Sequence, residues 1–251
     1  MSEVTVIPQV AANVVSDSTT WTTVLRSRWV LLFGGSKLRT VLNMQNGSTN
    51  LEARTKFLTA DVLTSETNTV SSASGATLDA DGYKTDDLDV SAETSAMWVQ
   101  AIAQVSSSSG VSDGRLVLSG TLHSEGRIVA SQDVNVGPTT AESGTSQYHY
   151  LPIGRPVPIV GMSSIMYAVV YTVGSGTVYW QPVYRTFTND LNKPSTWATK
   201  ATEQTGSSNT TWNSGTVTLA DVTTKAMWQP GIRWKSESGS GSLKIIVAAK
   251  Y

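Results

Sequence analysis

Residues 226–251 decide the fold: Ala226-Met227-Trp228-Gln229-Pro230-Gly231-Ile232-Arg233-Trp234-Lys235 runs through Ser-Glu-Ser-Gly-Ser-Gly-Ser into Leu243-Lys244-Ile245-Ile246-Val247. Two strand-like runs flank a serine and glycine turn, which predicts a β-hairpin. An echo lies upstream, where Ala96-Met97-Trp98-Val99-Gln100 leads through a turn around residues 106–110 into Arg115-Leu116-Val117-Leu118. A second correspondence sets Leu38-Arg39-Thr40-Val41-Leu42 against Met166-Tyr167-Ala168-Val169-Val170, each followed by a Gly/Ser/Asn turn. Beyond those turns, Arg54-Thr55-Lys56-Phe57 is answered by Arg185-Thr186-Phe187. The chain reads as one β-domain written twice.

The echo also settles a local ambiguity. Residues 94–105 are rich in Ala, Met and Gln, which favour helix. The matching stretch contains Pro230-Gly231, which would break a helix interior, so both copies are expected to be strands. Elsewhere, short strands alternate with turn signals at intervals of about 8–12 residues, the pattern of a sandwich or jelly roll. No stretch sustains helical periodicity. The expected fold is all-β, with two tandem β-sandwich, jelly-roll-like domains.

Working outward, residues 1–17 form an arm or a first edge strand. Gly34-Gly35 and Asn46-Gly47 are predicted hairpin turns, since Asn-Gly readily takes the positive φ such turns require. Gly174-Ser175-Gly176 is read as the turn of the second copy's central hairpin, and Asn192-Lys193-Pro194-Ser195 as a further turn. The stretch from Val136-Gly137-Pro138-Thr139-Thr140 to Ser146 has linker composition. The expected domains are therefore residues 1–135 and 151–251, joined by a linker at 136–150. Pro152, Pro156 and Pro158 fit an edge strand or extended connector. Pro182 and Pro230, each in a Trp-Gln-Pro triplet, also mark expected edges.

Composition narrows the function. The chain has 251 residues, charged residues are 15% of it, and its net charge is -1. That gives no compositional support for a surface that binds nucleic acid. With no cysteine, disulfides, thiol nucleophiles and cysteine metal sites all drop out. The N-terminus lacks the basic and apolar regions of a signal peptide, and the most apolar run, residues 29–33, is far too short to span a bilayer. We expect a protein made in the cytoplasm, with no membrane partner.

Candidate sites are few. Asp79, Asp81 and Asp86, near Gly82 and with Asp87 and Asp89 beyond, are weak calcium candidates, because a glycine turn can gather oxygen ligands. Their spacing is not that of an EF-hand loop, and a solvated acidic loop is the favoured account of them. His123 and His149 both fall in the segment around the expected linker, and nothing in the sequence nominates a group to orient either. Neither Gly-x-Ser-x-Gly nor a phosphate-binding glycine loop occurs. Carboxylate pairs distant in sequence would escape this inspection. We expect no enzymatic activity and no cofactor. Among the eight tryptophans, Trp98 and Trp228 occupy matching positions and are read as core. Trp197 and Trp212 lie beside Ser/Thr/Asn loops and are the candidate ligand-binding residues, for a glycan or a protein partner.

In overall character, and in the strand phrase Ala226-Met227-Trp228-Gln229-Pro230-Gly231-Ile232-Arg233-Trp234 followed by its Gly/Ser turn and residues 243–247, the chain resembles structural proteins of bacteriophage virions. These are capsid, cement or decoration proteins and tail components built from jelly rolls or immunoglobulin-like sandwiches. The resemblance implies location in a virion and a homo-oligomer whose strand edges meet copies of itself and other virion proteins. The alternative is a tandem carbohydrate-binding protein for host or glycan attachment, whose two linked modules would act by avidity.

Overall fold

In β4 (Lys37–Gln45) the side chains of Leu38, Thr40, Leu42 and Met44 are buried while those between them are not, the period of two that turns alternate residues to one face. The same alternation, repeated along the chain, builds the molecule. The computed structural model describes residues 3–61, 69–75, 77–124, 126–139, 147–187, 194–199, 201–219 and 227–251. All regular structure among them is β-strand. The chain divides into two units, Met1–Glu125 and Gly126–Tyr251.

The first unit contains β1 (Glu3–Ser16), β2 (Thr22–Arg26), β3 (Val30–Leu31), β4, β5 (Leu51–Ala60), β6 (Thr69–Ser74), β7 (Gly82–Asp89), β8 (Trp98–Ser107) and β9 (Ser112–Ser124). One sheet has the order β1-β9-β4-β7; the other is β2-β8-β5-β6, with β3 also on β8. All these pairs are antiparallel. Leu38, Leu42, Leu116 and Leu118 from the first sheet and Leu51, Phe57, Val99 and Val105 from the second share one core, which makes the unit a sandwich. Each such fully buried Leu, Val or Phe contributes roughly 1.5–3 kcal/mol of transfer free energy.

The second unit contains β10 (Gly126–Val136), β11 (His149–Pro152), β12 (Val157–Pro158), β13 (Ser164–Ser175), β14 (Val178–Phe187), β15 (Ala198–Thr199), β16 (Gln204–Gly206), β17 (Thr210–Asn213), β18 (Val217–Thr218), β19 (Met227–Lys235) and β20 (Ser240–Lys250). Its sheets run β10-β20-β13-β17, with β18 also on β13, and β11-β19-β14-β15, with β12 on β19 and β16 on β14. The core here is aromatic, built on Tyr167, Tyr171, Trp180, Tyr184 and Trp228. Counting each interrupted strand as one, both units read first-eighth-third-sixth in one sheet and second-seventh-fourth-fifth in the other. This is the jelly roll. The two units thus share one strand order.

That topology corrects several expectations. The strands joined at Gly34-Gly35, Asn46-Gly47, Gly174-Ser175-Gly176 and the final Ser/Gly turn lie in opposite sheets, so these turns are arches between the layers and not hairpins. A turn residue specifies that the chain reverses, not which strand receives it. At Asn46, φ is 51°, and the Asp81 carboxylate accepts from the N–H groups of Asn46 and Gly47 at 2.9 and 2.7 Å. The division between units also moves, from 136–150 to Glu125/Gly126. The segment before the expected linker is β10, which pairs with β20 along its length. The middle of that linker, 140–146, lies outside the described residues, as do Asn192, Lys193 and Ala226. At the N-terminus β1 is an edge strand, paired with β9.

Pro182 and Pro230 lie in inner strands, not at edges: β14 and β19 each have neighbours on both sides. What accommodates them is a break in the outer neighbour. Along β14, pairing with β16 ends at Trp180 and pairing with β15 begins at Val183. Along β19, pairing with β12 ends at Trp228 and pairing with β11 begins at Gly231. Each proline sits opposite a gap where no ladder hydrogen bond is required of it.

The matched phrases are offset by one residue. The bridges Val30–Val99 and Val157–Trp228 occupy the same place in the two units, which aligns Val99 with Trp228 and Gln100 with Gln229. Trp98 is only 7% exposed, but it lies on the opposite face from the core residues Val99, Ala101, Ala103 and Val105. Trp228 is in the core. Similarly, Leu38 and Leu42 face the first core whereas Ile165, Tyr167 and Val169, and not Met166 or Val170, face the second. A single extra residue between Trp98 and Gln100 moves a side chain across the sheet.

Candidate functional site

On the outer face of β14 and β19 a short phrase occurs twice: Trp180-Gln181-Pro182-Val183-Tyr184-Arg185 and Trp228-Gln229-Pro230-Gly231-Ile232-Arg233. The strands are antiparallel, with Gln181 opposite Arg233 and Arg185 opposite Gln229. Each arginine therefore meets the other phrase's glutamine. Arg185 Nε donates to Gln229 Oε1 at 2.8 Å, Arg233 Nε donates to Gln181 Oε1 at 2.9 Å, and Arg233 Nη2 donates to the same oxygen. The glutamine amides point the other way, into the breaks beside the prolines. Gln181 Nε2 donates to the Ala201 carbonyl at 2.6 Å and Gln229 Nε2 to the Gly154 carbonyl at 2.8 Å. Both ends of each glutamine are used, so the guanidinium groups are held in place by the sheet itself.

Aromatic side chains gather around this ladder. Trp197, on the chain entering β15, lies against Gly231, where a Cβ would come within 2.5 Å of its Cζ3. Glycine at that position lets the indole rest on the strand. Tyr150, paired with Arg233 through β11, is nearly parallel to Trp197, at 20° with centroids 6.2 Å apart. The Arg185 guanidinium lies 4.8 Å from the Trp197 ring centroid and that of Arg233 lies 3.9 Å from that of Tyr148. Arg233 Nη1 also donates to the Tyr150 hydroxyl at 3.2 Å. At the far end Lys235 Nζ is 3.6 Å from Glu203, and the Tyr148 hydroxyl donates to the same carboxylate. The hydrogen bond with Tyr148, helped by the Glu203 charge, pushes the Lys235 pKa above its ordinary value, so the ammonium stays charged. Tyr150 and Tyr179 are 43% and 38% exposed. The result is a plateau of aromatic faces and fixed guanidinium groups.

The first unit has a reduced version. Arg54 Nε donates to Gln104 Oε1 at 3.1 Å and the guanidinium lies 4.0 Å from the Trp21 ring centroid. Gln100 Nε2 donates to the Ser27 carbonyl at 2.6 Å, in the break between β2 and β3, as Gln229 does in the second unit. Opposite Gln100, however, stands Leu58, where the second unit has Arg185.

The residues singled out from the sequence are dispersed differently. Trp197 belongs to the plateau. Trp212, in β17, packs edge-on against Trp180 at 5.4 Å on the core side of the other sheet, so the structure does not join it to Trp197. Asp79 is exposed, Asp81 holds the Asn46-Gly47 turn, and Asp86 accepts from the Thr55 hydroxyl at 3.0 Å. Among the described residues no group of three or more His, Asp or Glu could hold a metal ion. His123 lies in β9 and His149 in β11, not in a linker; His149 packs against Trp234 at 5.6 Å. The ladder itself went unnoticed in the sequence, where its signal is the repeated Trp-Gln-Pro-x-x-Arg.

No protein-family model and no curated protein matches the chain. Among solved structures it is similar to the PBSX exported protein XepA, at 10% identity over 98% of this chain and 86% of that one, with a TM-score of 0.29. It is also similar to a structure of infectious bursal disease virus, Gx strain, at 10% identity over 99% and 72%, TM-score 0.37. A third is a carbohydrate-binding module of the β-sandwich superfamily, at 14% identity over 94% and 95%, TM-score 0.32. These likenesses are distant, and the fold rests on the strand pairing described above. Among the described residues no helix is long and apolar enough to cross a membrane.

Proposed function

We propose that the protein is a non-enzymatic structural component of a virus particle, a capsid, decoration or tail protein whose two units descend from one duplicated jelly roll. Since a fold hosts many functions, the reading is carried by an edge and not by the fold alone. β1 is a 14-residue edge strand whose outward valines, Val6 and Val15, are 68% and 66% exposed. Its pairing with β9 shifts register between Ile7 and Val10, around Pro8, which limits indiscriminate sheet extension but leaves edge segments on either side. A neighbouring subunit placed there would cover apolar surface and complete the ladder.

Light scattering and negative-stain microscopy of the purified chain test this reading. A discrete oligomer, ring or shell that Val6→Lys and Val15→Lys dissociate while the thermal midpoint is kept supports it. A monomer at all concentrations that neither assembles nor decorates particles overturns it. A second reading, attachment to surface glycans, is favoured by the exposed ring of Tyr150 beside the half-buried Trp197. Retention in gels containing polysaccharides tests that reading separately.

A further inference from the structure

We propose that the plateau on β14 and β19 binds an acidic polysaccharide, its carboxylates on Arg185 and its sugar rings against Tyr150 and Trp197. The proposal rests on the glycan reading and narrows it to one chemistry. Charge is the first argument. Among the described residues, the face carries Arg185, Arg233 and Lys235 beside the carboxylate of Glu203, and that carboxylate is already engaged by Lys235 and Tyr148. Among the described residues, neither guanidinium group has an ion-pair partner, on a protein whose net charge is -1. The positive character is therefore local to this face.

Donor geometry is the second argument. Arg233 is committed: its Nε and Nη2 donate to Gln181 and its Nη1 to Tyr150, so it positions the platform. Arg185 is tethered only through Nε, to Gln229. Its Nη groups have no hydrogen-bond partner among the described residues. The guanidinium carbon lies 4.8 and 5.5 Å from the centroids of the Trp197 and Phe187 rings. A planar pair of donors held in one orientation matches a carboxylate bidentately.

The third argument is the aromatic surface. Trp197 and Tyr150 lie within 20° of parallel, and Arg233 fixes the tyrosine hydroxyl. The exposed surface of Tyr150 and the accessible part of the half-buried Trp197 ring, held in this way, can take the apolar C–H faces of sugars, with little ordering left to occur on binding. A nucleic acid would also stack on such rings. It would require a longer basic track than these cations supply.

The full chain would be run in native gels containing polygalacturonate, with galactan as the neutral control, and titrated with a thymidine oligonucleotide. Expected is retardation by polygalacturonate, weakened by salt and at least about tenfold weaker in Arg185→Gln, the effect of losing one charge-assisted pair. Trp197→Ala should also abolish it. Arg185→Gln with an unchanged thermal midpoint separates lost binding from lost folding, and Arg54→Gln in the first unit should leave retardation intact. Equal retardation by galactan, or none of the loss in Arg185→Gln, overturns the acidic assignment while the glycan reading survives. Tighter binding of the oligonucleotide overturns it in favour of nucleic acid. No retardation by any polysaccharide overturns both.

Discussion

The core face of β8 in the first unit carries Val99, Ala101, Ala103 and Val105, whereas β19 in the second carries Trp228 and Ile232, with Trp234 packed at the rim. The same strand position is thus lined by small aliphatics in one unit and by large rings in the other. The partner sheet compensates in kind. Leucines and Met44 fill the first core; Tyr167 and Tyr171 enter the second, and their hydroxyls donate to the carbonyls of Val183 at 2.9 Å and Ser240 at 3.2 Å. Tyr171 also requires glycine at 206 and 241, where a Cβ would meet its ring at 2.5 and 2.6 Å. The indole N–H groups of Trp180 and Trp228 are buried without a hydrogen-bond partner, a cost of aromatic filling that the aliphatic core avoids. The comparison teaches that strand order tolerates a complete change of core chemistry, provided volume and polar partners are adjusted locally.

The largest expected effects test whether the two cores are energetically separate. Trp228→Ala and Phe57→Ala each remove a fully buried ring and should each cost about 3–5 kcal/mol. Calorimetry should show each variant lowering the transition of its own unit only; a joint shift of both would break the comparison. Next is Gly231→Ala, whose Cβ would meet Trp197 at 2.5 Å and the Leu151 carbonyl at 3.0 Å. An overpacking cost of about 1–3 kcal/mol in the second unit is expected, with a changed indole signal that is lost when Trp197 is replaced by Phe.

The glutamines sharpen the comparison further. Gln229 both donates to Gly154 and accepts from Arg185; Gln100 donates to Ser27, while its Oε1 is buried without a partner. Replacement by Leu should therefore cost more at 229, about 1–3 kcal/mol, than at 100, about 1 kcal/mol, measured as denaturant midpoints at constant slope. The smallest effect concerns the exposed Arg39–Asp87 pair of the first unit, joined at 2.6 and 2.8 Å. The hydrogen bond from Arg39 holds the Asp87 pKa below its ordinary value of 3.8. A carboxylate that binds its proton more weakly when folded stabilises the fold above its unfolded pKa. That contribution is lost as pH falls through the folded value. Asp87→Asn should accordingly flatten the acid side of the first unit's stability profile and leave the second unit's unchanged, as read by thermal melts between neutral pH and pH 2.

Much of the architecture was legible in the sequence because its signals are local. The strand runs at residues 38–42 and 166–170 and the Pro230-Gly231 argument against a helix at β8 all rest on neighbouring residues, and the structure agrees with them. The hairpins at Asn46-Gly47 and Gly174-Ser175-Gly176 were misread because a turn carries no information about the layer its strands enter. The linker was placed too late because β10 looks unlike the strands it joins: Arg127, Ser131, Gln132 and Asp133 make it polar, as an outer strand can afford to be. Trp197 was singled out through its loop context. Trp212 shared that context but points to the core, since β17 pairs with β13 in a register that context does not encode.

By itself the sequence determined that the chain is all-β, where it turns, and that burial without disulfides holds it together, since with no cysteine no disulfide is available. Only the tertiary structure decided which strands are partners, where one unit ends, and which face each residue takes. Partner choice is a long-range matter of β pairing, and with a period of two a single inserted residue reverses every side chain beyond it. The plateau of Arg185, Arg233, Tyr150 and Trp197 depends on both of those decisions, because its residues come from three strands and the chain entering a fourth and meet only when registered across the sheet.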